Sequence, residues 1–158
     1  MTEWKRDDAD GRPTASGWVH AAKARIEELT VEQLQAEIAA GDVTLVDIRD
    51  IREQWERGAI PGAKSMPRGM LEFWFDPASK YYRGGLDYSE RYVVYCAGGG
   101  RSALAADMLN QLGYTNVAHL TVGFNGWKES GGAVEQMLPD PKYFRAVDAN
   151  ETGEQAGG

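Results

Sequence analysis

The segment Val93–Gly113, V-V-Y-C-A-G-G-G-R-S-A-L-A-A-D-M-L-N-Q-L-G, holds the residues whose types and spacing suit chemistry. Cys96 is the chain's single cysteine, and Ala97, Gly98, Gly99, Gly100, Arg101 and Ser102 follow it. Glycine accepts positive φ, so such a run lets successive backbone N–H groups turn inward around one centre. A helix starting near Arg101 adds unpaired N–H groups and the positive end of its dipole. The guanidinium adds a permanent charge and a planar fork of donors. That environment favours an anion, and the nearest one is the Cys96 thiolate. A free cysteine titrates at about 8.5, and helix N-termini with cationic neighbours lower that value. The segment therefore predicts a nucleophilic thiolate at neutral pH, in a cradle that also fits a tetrahedral oxyanion. Two plainer readings compete with this one. Cysteine packs well as a small buried hydrophobe, but an inert one has no need of three glycines and an arginine. A phosphate-binding glycine loop is poorly supported, because neither G-K-[ST] nor G-x-G-x-x-G occurs here.

The elements around this segment follow from periodicity. The apolar run ending at Cys96 reads as a buried strand. Ala103, Leu104, Ala106, Met108, Leu109 and Leu112 then recur at helical spacing, and Gly113 is placed to end the helix. The expectation is strand, six-residue loop, helix, with the cysteine at the strand's carboxyl end, where open parallel sheets bind ligands. Upstream, Trp18–Ala24 suits a short helix and Arg25–Leu29 a half-exposed strand. Thr30 and Gln33 form a capping box opening a helix to about Ala40. Val43–Ile48 reads as a buried strand, Ile51–Gly58 as a short helix and Ala63–Met66 as a brief strand. Downstream, Val117–Thr121 reads as a last strand and Phe124–Ser130 as a helix with Trp127 facing inward. This alternation predicts an α/β fold: a central, mostly parallel sheet of about five strands with helices on both faces. The module is expected over residues 17–138. Residues 1–16 read as a disordered tail and 139–158 as a largely flexible extension, with a helical turn at Lys142–Val147.

Cys-x4-Arg-Ser on a strand-loop-helix resembles the active-site loop of the rhodanese superfamily of sulfurtransferases. Four further stretches match in order. Leu45-Val46-Asp47-Ile48-Arg49 is similar to the family's D-x-R strand, and Gly58–Ala63 to its G-H-I-P-G-A turn. Val122–Trp127 resembles the G-G-x-x-A-W segment, and Gly131–Glu135 the A-G-x-P-V stretch. Together they span roughly residues 24 to 137, one whole rhodanese module. Ala59 replaces the usual histidine, Val122 the usual first glycine, and Gly132-Ala133 the usual x-P. The resemblance implies ping-pong sulfur transfer without a cofactor. Cys96 takes a sulfur from a donor such as thiosulfate, the N–H groups of residues 97–102 hold the persulfide, and cyanide, a thiol or a protein cysteine accepts it. Arg101 orients the donor's oxyanion. In related cell-cycle phosphatases the loop is one residue longer, so x4 favours sulfur over phosphate or arsenate. Persulfide carriage, or plain interaction with a partner protein, is the further alternative.

Composition sets outer bounds. The 158 residues suit one domain with a proper core. A formal charge of −7 disfavours nonspecific nucleic-acid binding. One cysteine forms no internal disulfide, no apolar stretch is long enough to span a membrane, and the polar start does not suit a signal peptide, so the cytoplasm is the expected compartment. No Cys/His cluster has metal-ligand spacing.

Three features leave roles to assign. Asp47 and Arg49 read as structural, tying loops at a strand end. Between Pro67 and Ser89, the aromatics either pack as a satellite cluster or wall the Cys96 pocket, with Arg68 or Arg83 adding positive charge. The two histidines, His20 and His119, stand in no triad-like context; His119 reads as a satisfied residue of a strand more than as a general base.

Overall fold

Strand-by-strand alternation decides how the sheet is covered. In the computed structural model, which describes residues 11–139, five parallel strands pair in the order β1-β5-β4-β2-β3. They are β1 (Glu27–Leu29), β2 (Thr44–Asp47), β3 (Lys64–Ser65), β4 (Tyr92–Tyr95) and β5 (Val117–Leu120). Tyr92, Val94 and Cys96 enter one core with Val46, Ile48 and Val117, against Ala105, Ala106 and Leu109 of α5 (Gly100–Gln111) and Leu71 and Phe75 of α4 (Leu71–Phe75). Val93 and Tyr95 enter the other, with Leu45, Ala118 and Leu120, against Leu34 of α2 (Val31–Ala40) and Phe124 and Trp127 of α6 (Gly123–Glu129). Each fully buried aliphatic side chain of this kind contributes roughly 1.5–3 kcal/mol. A first helix, α1 (Ala15–Lys23), packs on α5, and α3 (Ile51–Arg57) follows β2.

Helix ends are built as the local sequence dictates, with three differences from expectation. Both halves of the Thr30/Gln33 capping box form, at 3.1 and 2.9 Å, and Gly41 at φ 84° closes α2. The first helix starts at Ala15, earlier than the expected Trp18, because the Thr14 hydroxyl accepts the Gly17 N–H at 2.9 Å. Ala15 and Ser16 therefore belong to α1, not to a tail. β1 is shorter than Arg25–Leu29, since the Arg25 N–H still bonds the Ala22 carbonyl at 2.9 Å in the turn that closes α1. α5 begins at Gly100, so the loop after Cys96 is shorter than six residues. The readings for residues 1–10, Lys142–Val147 and Asn150–Gly158 lie outside the described residues.

Of the aromatics in the 67–89 segment, Phe75 packs inward, whereas Phe73, Tyr81 and Tyr88 are exposed. Phe75, Tyr92 and Tyr114 meet edge to face at 5.0–5.6 Å, and the Tyr114 hydroxyl donates to the Phe75 carbonyl. Beyond α4 the chain runs irregularly to β4, as expected of its glycine and proline content. Among the described residues no helix is long and apolar enough to cross a membrane.

Candidate active site

From β2 the chain runs on to β3 on one side of the sheet, and from β4 to β5 on the other. Between the carboxyl ends of β2 and β4 this opens the crevice where parallel sheets take ligands. Cys96 stands there, 1% exposed. The Gly99 N–H donates to its sulfur at 3.2 Å and the Ser102 N–H at 3.4 Å, while the Ser102 hydroxyl lies 3.5 Å away. Burial pushes the thiol up, but the Ser102 hydroxyl and the N–H groups of Ser102, Gly99 and Gly98 outweigh it, and the thiol titrates below its ordinary value. The loop is pinned from behind. Phe124 N–H donates to the Cys96 carbonyl at 2.8 Å and Asn125 N–H to the Ala97 carbonyl at 3.0 Å. Gly123 permits that approach: at φ 64°, a Cβ there would collide with the Ala97 carbonyl and the Gly98 nitrogen.

The three consecutive glycines serve different ends. Gly99 takes φ 101° as the N-cap of α5, and a Cβ on it would strike the Thr121 carbonyl oxygen. Gly98 faces open space, and Gly100, the first residue of α5, meets only Val19 at 3.8 Å. Only the middle one is required by the backbone.

Arg101 follows the loop in the first turn of α5, where the Cys96 charge helps to hold its guanidinium protonated. Its fork, expected to orient a donor's oxyanion, closes on the Glu53 carboxylate at 2.8 and 2.9 Å. Glu53 comes from α3, where its side chain also accepts the Asp50 N–H at 3.0 Å. No sequence signal joins residues 48 apart, beyond the glutamate's place in a capping box at the head of a helix following β2.

Asp47 and Arg49 form a buried brace. Arg49 Nε and Nη2 donate to Asp47 at 3.0 and 2.7 Å, and Nη2 also donates to the Gly58 carbonyl at 2.7 Å. The Tyr95 hydroxyl donates to Asp47 at 2.7 Å and accepts the Ile60 N–H at 3.1 Å. The guanidinium lies 4.3 Å from the Phe124 ring centroid, under the helix whose first turn pins the loop. The side-chain hydrogen bonds of both residues go to Gly58, Tyr95 and each other, and those of the Cys96 sulfur to Gly99 and Ser102.

The two arginines considered as pocket walls separate. Arg83 stacks on Trp74 at 3.8 Å and lines a cavity of about 260 Å³ with Lys64, Ser65 and Met66, in which no residue of the Cys96 loop takes part. Arg68 sits exposed in the 3-10 turn Arg68–Met70, where its N–H donates to the Ile48 carbonyl at 3.1 Å, on the sheet edge that carries Cys96. Among the described residues no group of three or more His, Cys, Asp or Glu could hold a metal ion.

His20 is exposed on α1, whereas His119 is fully buried. As a satisfied strand residue His119 is as expected; its partners were not foreseen. Nδ1 lies 2.8 Å from the Ser102 hydroxyl and Nε2 lies 2.9 Å from Glu28 Oε2. Glu28 also receives Lys23 Nζ at 3.0 Å. Strand alternation was the available signal: His119 shares its face with Val117 and pairs in register with Glu28.

A parallel five-stranded sheet with a cysteine, a short glycine loop and an arginine on its central strand-to-helix turn defines the rhodanese-like class. Residues 30–130, well over half of the chain, match the rhodanese-like domain model, and the chain belongs to that family. A Rhodopseudomonas palustris structure, described as of unknown function and a possible tyrosine phosphatase, is 42% identical with a TM-score of 0.73, over 79% of this chain and all of that one. The thiosulfate sulfurtransferase GlpE of Shewanella oneidensis is 32% identical over 66% of this chain and 94% of its own length. The mouse thiosulfate sulfurtransferase/rhodanese-like domain-containing protein 3 is 30% identical over 64% of this chain, which spans 66% of the mouse protein.

Proposed function

We propose that the chain is a sulfurtransferase that carries sulfane sulfur as a Cys96 persulfide, with thiosulfate as the simplest donor. The observation that carries this reading is the convergence of the Gly99 and Ser102 N–H groups on one buried sulfur. The Cys96 thiolate attacks the outer sulfur of thiosulfate, the donor's S–S bond breaks, and sulfite leaves with the bonding pair. The persulfide's negative outer sulfur takes the place of the incoming anion beside the loop's N–H groups. Cyanide or a thiol then attacks that sulfur and releases the thiolate. Arg101, with 42% of its side chain exposed, leaves Glu53 to meet the donor's sulfonate end. A protein cysteine is an equally suitable donor or acceptor.

Intact mass tests this. Incubation with thiosulfate adds one sulfur, cyanide removes it, and Cys96→Ser takes up none; a Cys96→Ser protein that still transferred sulfur would overturn the mechanism. The Rhodopseudomonas relative's description motivates a second reading, cysteine-dependent phosphatase activity. Four residues between Cys96 and Arg101 make a cradle tighter than phosphate's three oxygens need, so p-nitrophenyl phosphate is expected to go unhydrolysed.

A further inference from the structure

We propose that Ser102, His119 and Glu28 form a proton relay that deprotonates Cys96 through the protein, across the sheet, and not through the pocket mouth. The inference deepens the sulfurtransferase reading, since it concerns how its nucleophile is made. Cys96 leaves β4 on the sheet face covered by α5. On that same face His119 of β5 pairs in register with Val94 of β4 and with Glu28 of β1. The row runs from the central strand to the edge strand, and Ser102 on α5 closes the gap between the ring and the sulfur. The distances are 3.5 Å from sulfur to hydroxyl, 2.8 Å from hydroxyl to Nδ1 and 2.9 Å from Nε2 to Glu28.

The direction of each bond follows from what each group can donate. A carboxylate only accepts, so the neutral ring carries its proton on Nε2 and leaves Nδ1 as an acceptor. The Ser102 hydroxyl therefore donates to Nδ1, and its lone pair faces the thiol proton. When the sulfur gives its proton to the Ser102 oxygen, the hydroxyl passes its own to Nδ1. A thiolate and an imidazolium form together, no proton is gained or lost, and the hydroxyl now donates to the thiolate. The charged groups facing His119 are Glu28 from β1, which favours the imidazolium, and Lys23 from α1, which opposes it; burial opposes it as well. Glu28 thus supplies the counter-charge that lets a buried ring hold a proton. With a third of its side chain exposed, it also gives the proton an exit to water that the buried sulfur lacks. A histidine needed only for packing has no reason to end a hydrogen-bonded row on the nucleophile.

The test is the pH profile of Cys96 alkylation by iodoacetamide, read by intact mass on the full chain, where one cysteine makes the product unambiguous. Glu28→Gln keeps an acceptor for Nε2–H but removes the charge, and His119→Asn keeps a polar atom near Ser102. Both variants are expected to move the profile to higher pH without lowering its alkaline plateau. Near pH 6.5 alkylation slows about tenfold in His119→Asn, one unit of thiol pKa, and about threefold in Glu28→Gln. Superimposed profiles, a lowered plateau at an unchanged midpoint, or a shift in His119→Asn alone would each overturn the relay. Alkylation uses no sulfur donor, so a protein with shifted variant profiles that gains sulfur neither from thiosulfate nor from a persulfide donor would refute the sulfurtransferase reading and leave the relay standing.

Discussion

Replacing Gly98, Gly99 and Gly100 one at a time by alanine asks whether three identical neighbours are structurally distinct. Gly99→Ala places a side chain at φ 101°, a left-handed conformation that costs a non-glycine residue about 1–2 kcal/mol. Its Cβ also meets the Thr121 carbonyl, part of a backbone held by the Thr121 N–H bond to Leu29 at 3.0 Å, so the neighbour cannot yield cheaply. The combined loss is expected at about 2–4 kcal/mol, or about 4–16 °C in Tm for a domain of this size. The same displacement takes the Gly99 N–H off the sulfur, so alkylation of Cys96 shifts to higher pH. Gly98→Ala points into open space at an ordinary φ and leaves Tm unchanged; any effect falls on donor KM, because its methyl enters the mouth of the cradle. Gly100→Ala, in the first turn of α5, is neutral or stabilising by up to about 1 kcal/mol from helix propensity. Thermal unfolding and alkylation of the three variants side by side provide the readout. If Gly98→Ala proves as damaging as Gly99→Ala, or Gly99→Ala melts with the wild type, the reasoning from φ and contact is wrong.

Glu53→Gln frees the Arg101 fork while preserving the N-terminal capping role that glutamine also fills; a solvent-accessible pair of this kind, here half-buried, is worth about 0.2–1 kcal/mol. Steady-state kinetics should then show KM for thiosulfate falling up to about fivefold, whereas an unchanged or raised KM refutes competition between Glu53 and the donor. Asp47→Asn strips the counter-charge from buried Arg49 and is expected to cost about 3–5 kcal/mol in urea unfolding; a loss below 1 kcal/mol would show that the brace is dispensable. Because the Cys96 thiol titrates lower in the folded state than in the unfolded chain, its contribution to stability is complete above the unfolded pKa of about 8.5. It fades as pH falls through the folded value, since the unfolded chain binds the proton first. The stability gap between wild type and Cys96→Ser should therefore narrow as pH falls below about 8.5, and a gap that widens on acidification contradicts the sign.

Local signals carried far in this chain, and their reach ended where contacts became long-range. The Thr30/Gln33 box, the apolar run into Cys96 and the glycine at 113, found at φ 104°, each act within a few residues, and each is visible in the string of letters. So is the D-x-R pair, because Asp47 and Arg49 bond to one another. Glu53 and Arg101 meet only because the sheet order brings the ends of β2 and β4 together. His119 finds Ser102 only because α5 crosses back over β5. Arg83 stacks on Trp74 because that ring offers it a flat face nearby. The three glycines, read as one device, separate only once it is known which carbonyl stands behind the middle one.

The bonds from Phe124 and Asn125 to the carbonyls of Cys96 and Ala97 make the reactive loop a continuation of the hydrogen-bonded interior. Loops that bind ligands usually open locally at small free-energy cost. Here the amide protons of Phe124 and Asn125 should exchange with deuterium on the timescale of the β4 core, not that of a surface turn. The cradle then has no floppy state of its own to visit, so it neither adapts to bulky sulfur donors nor loses its shape before the whole domain unfolds. Warming toward the melting transition should leave the turnover of each folded molecule intact, and activity should disappear in proportion to the fraction unfolded.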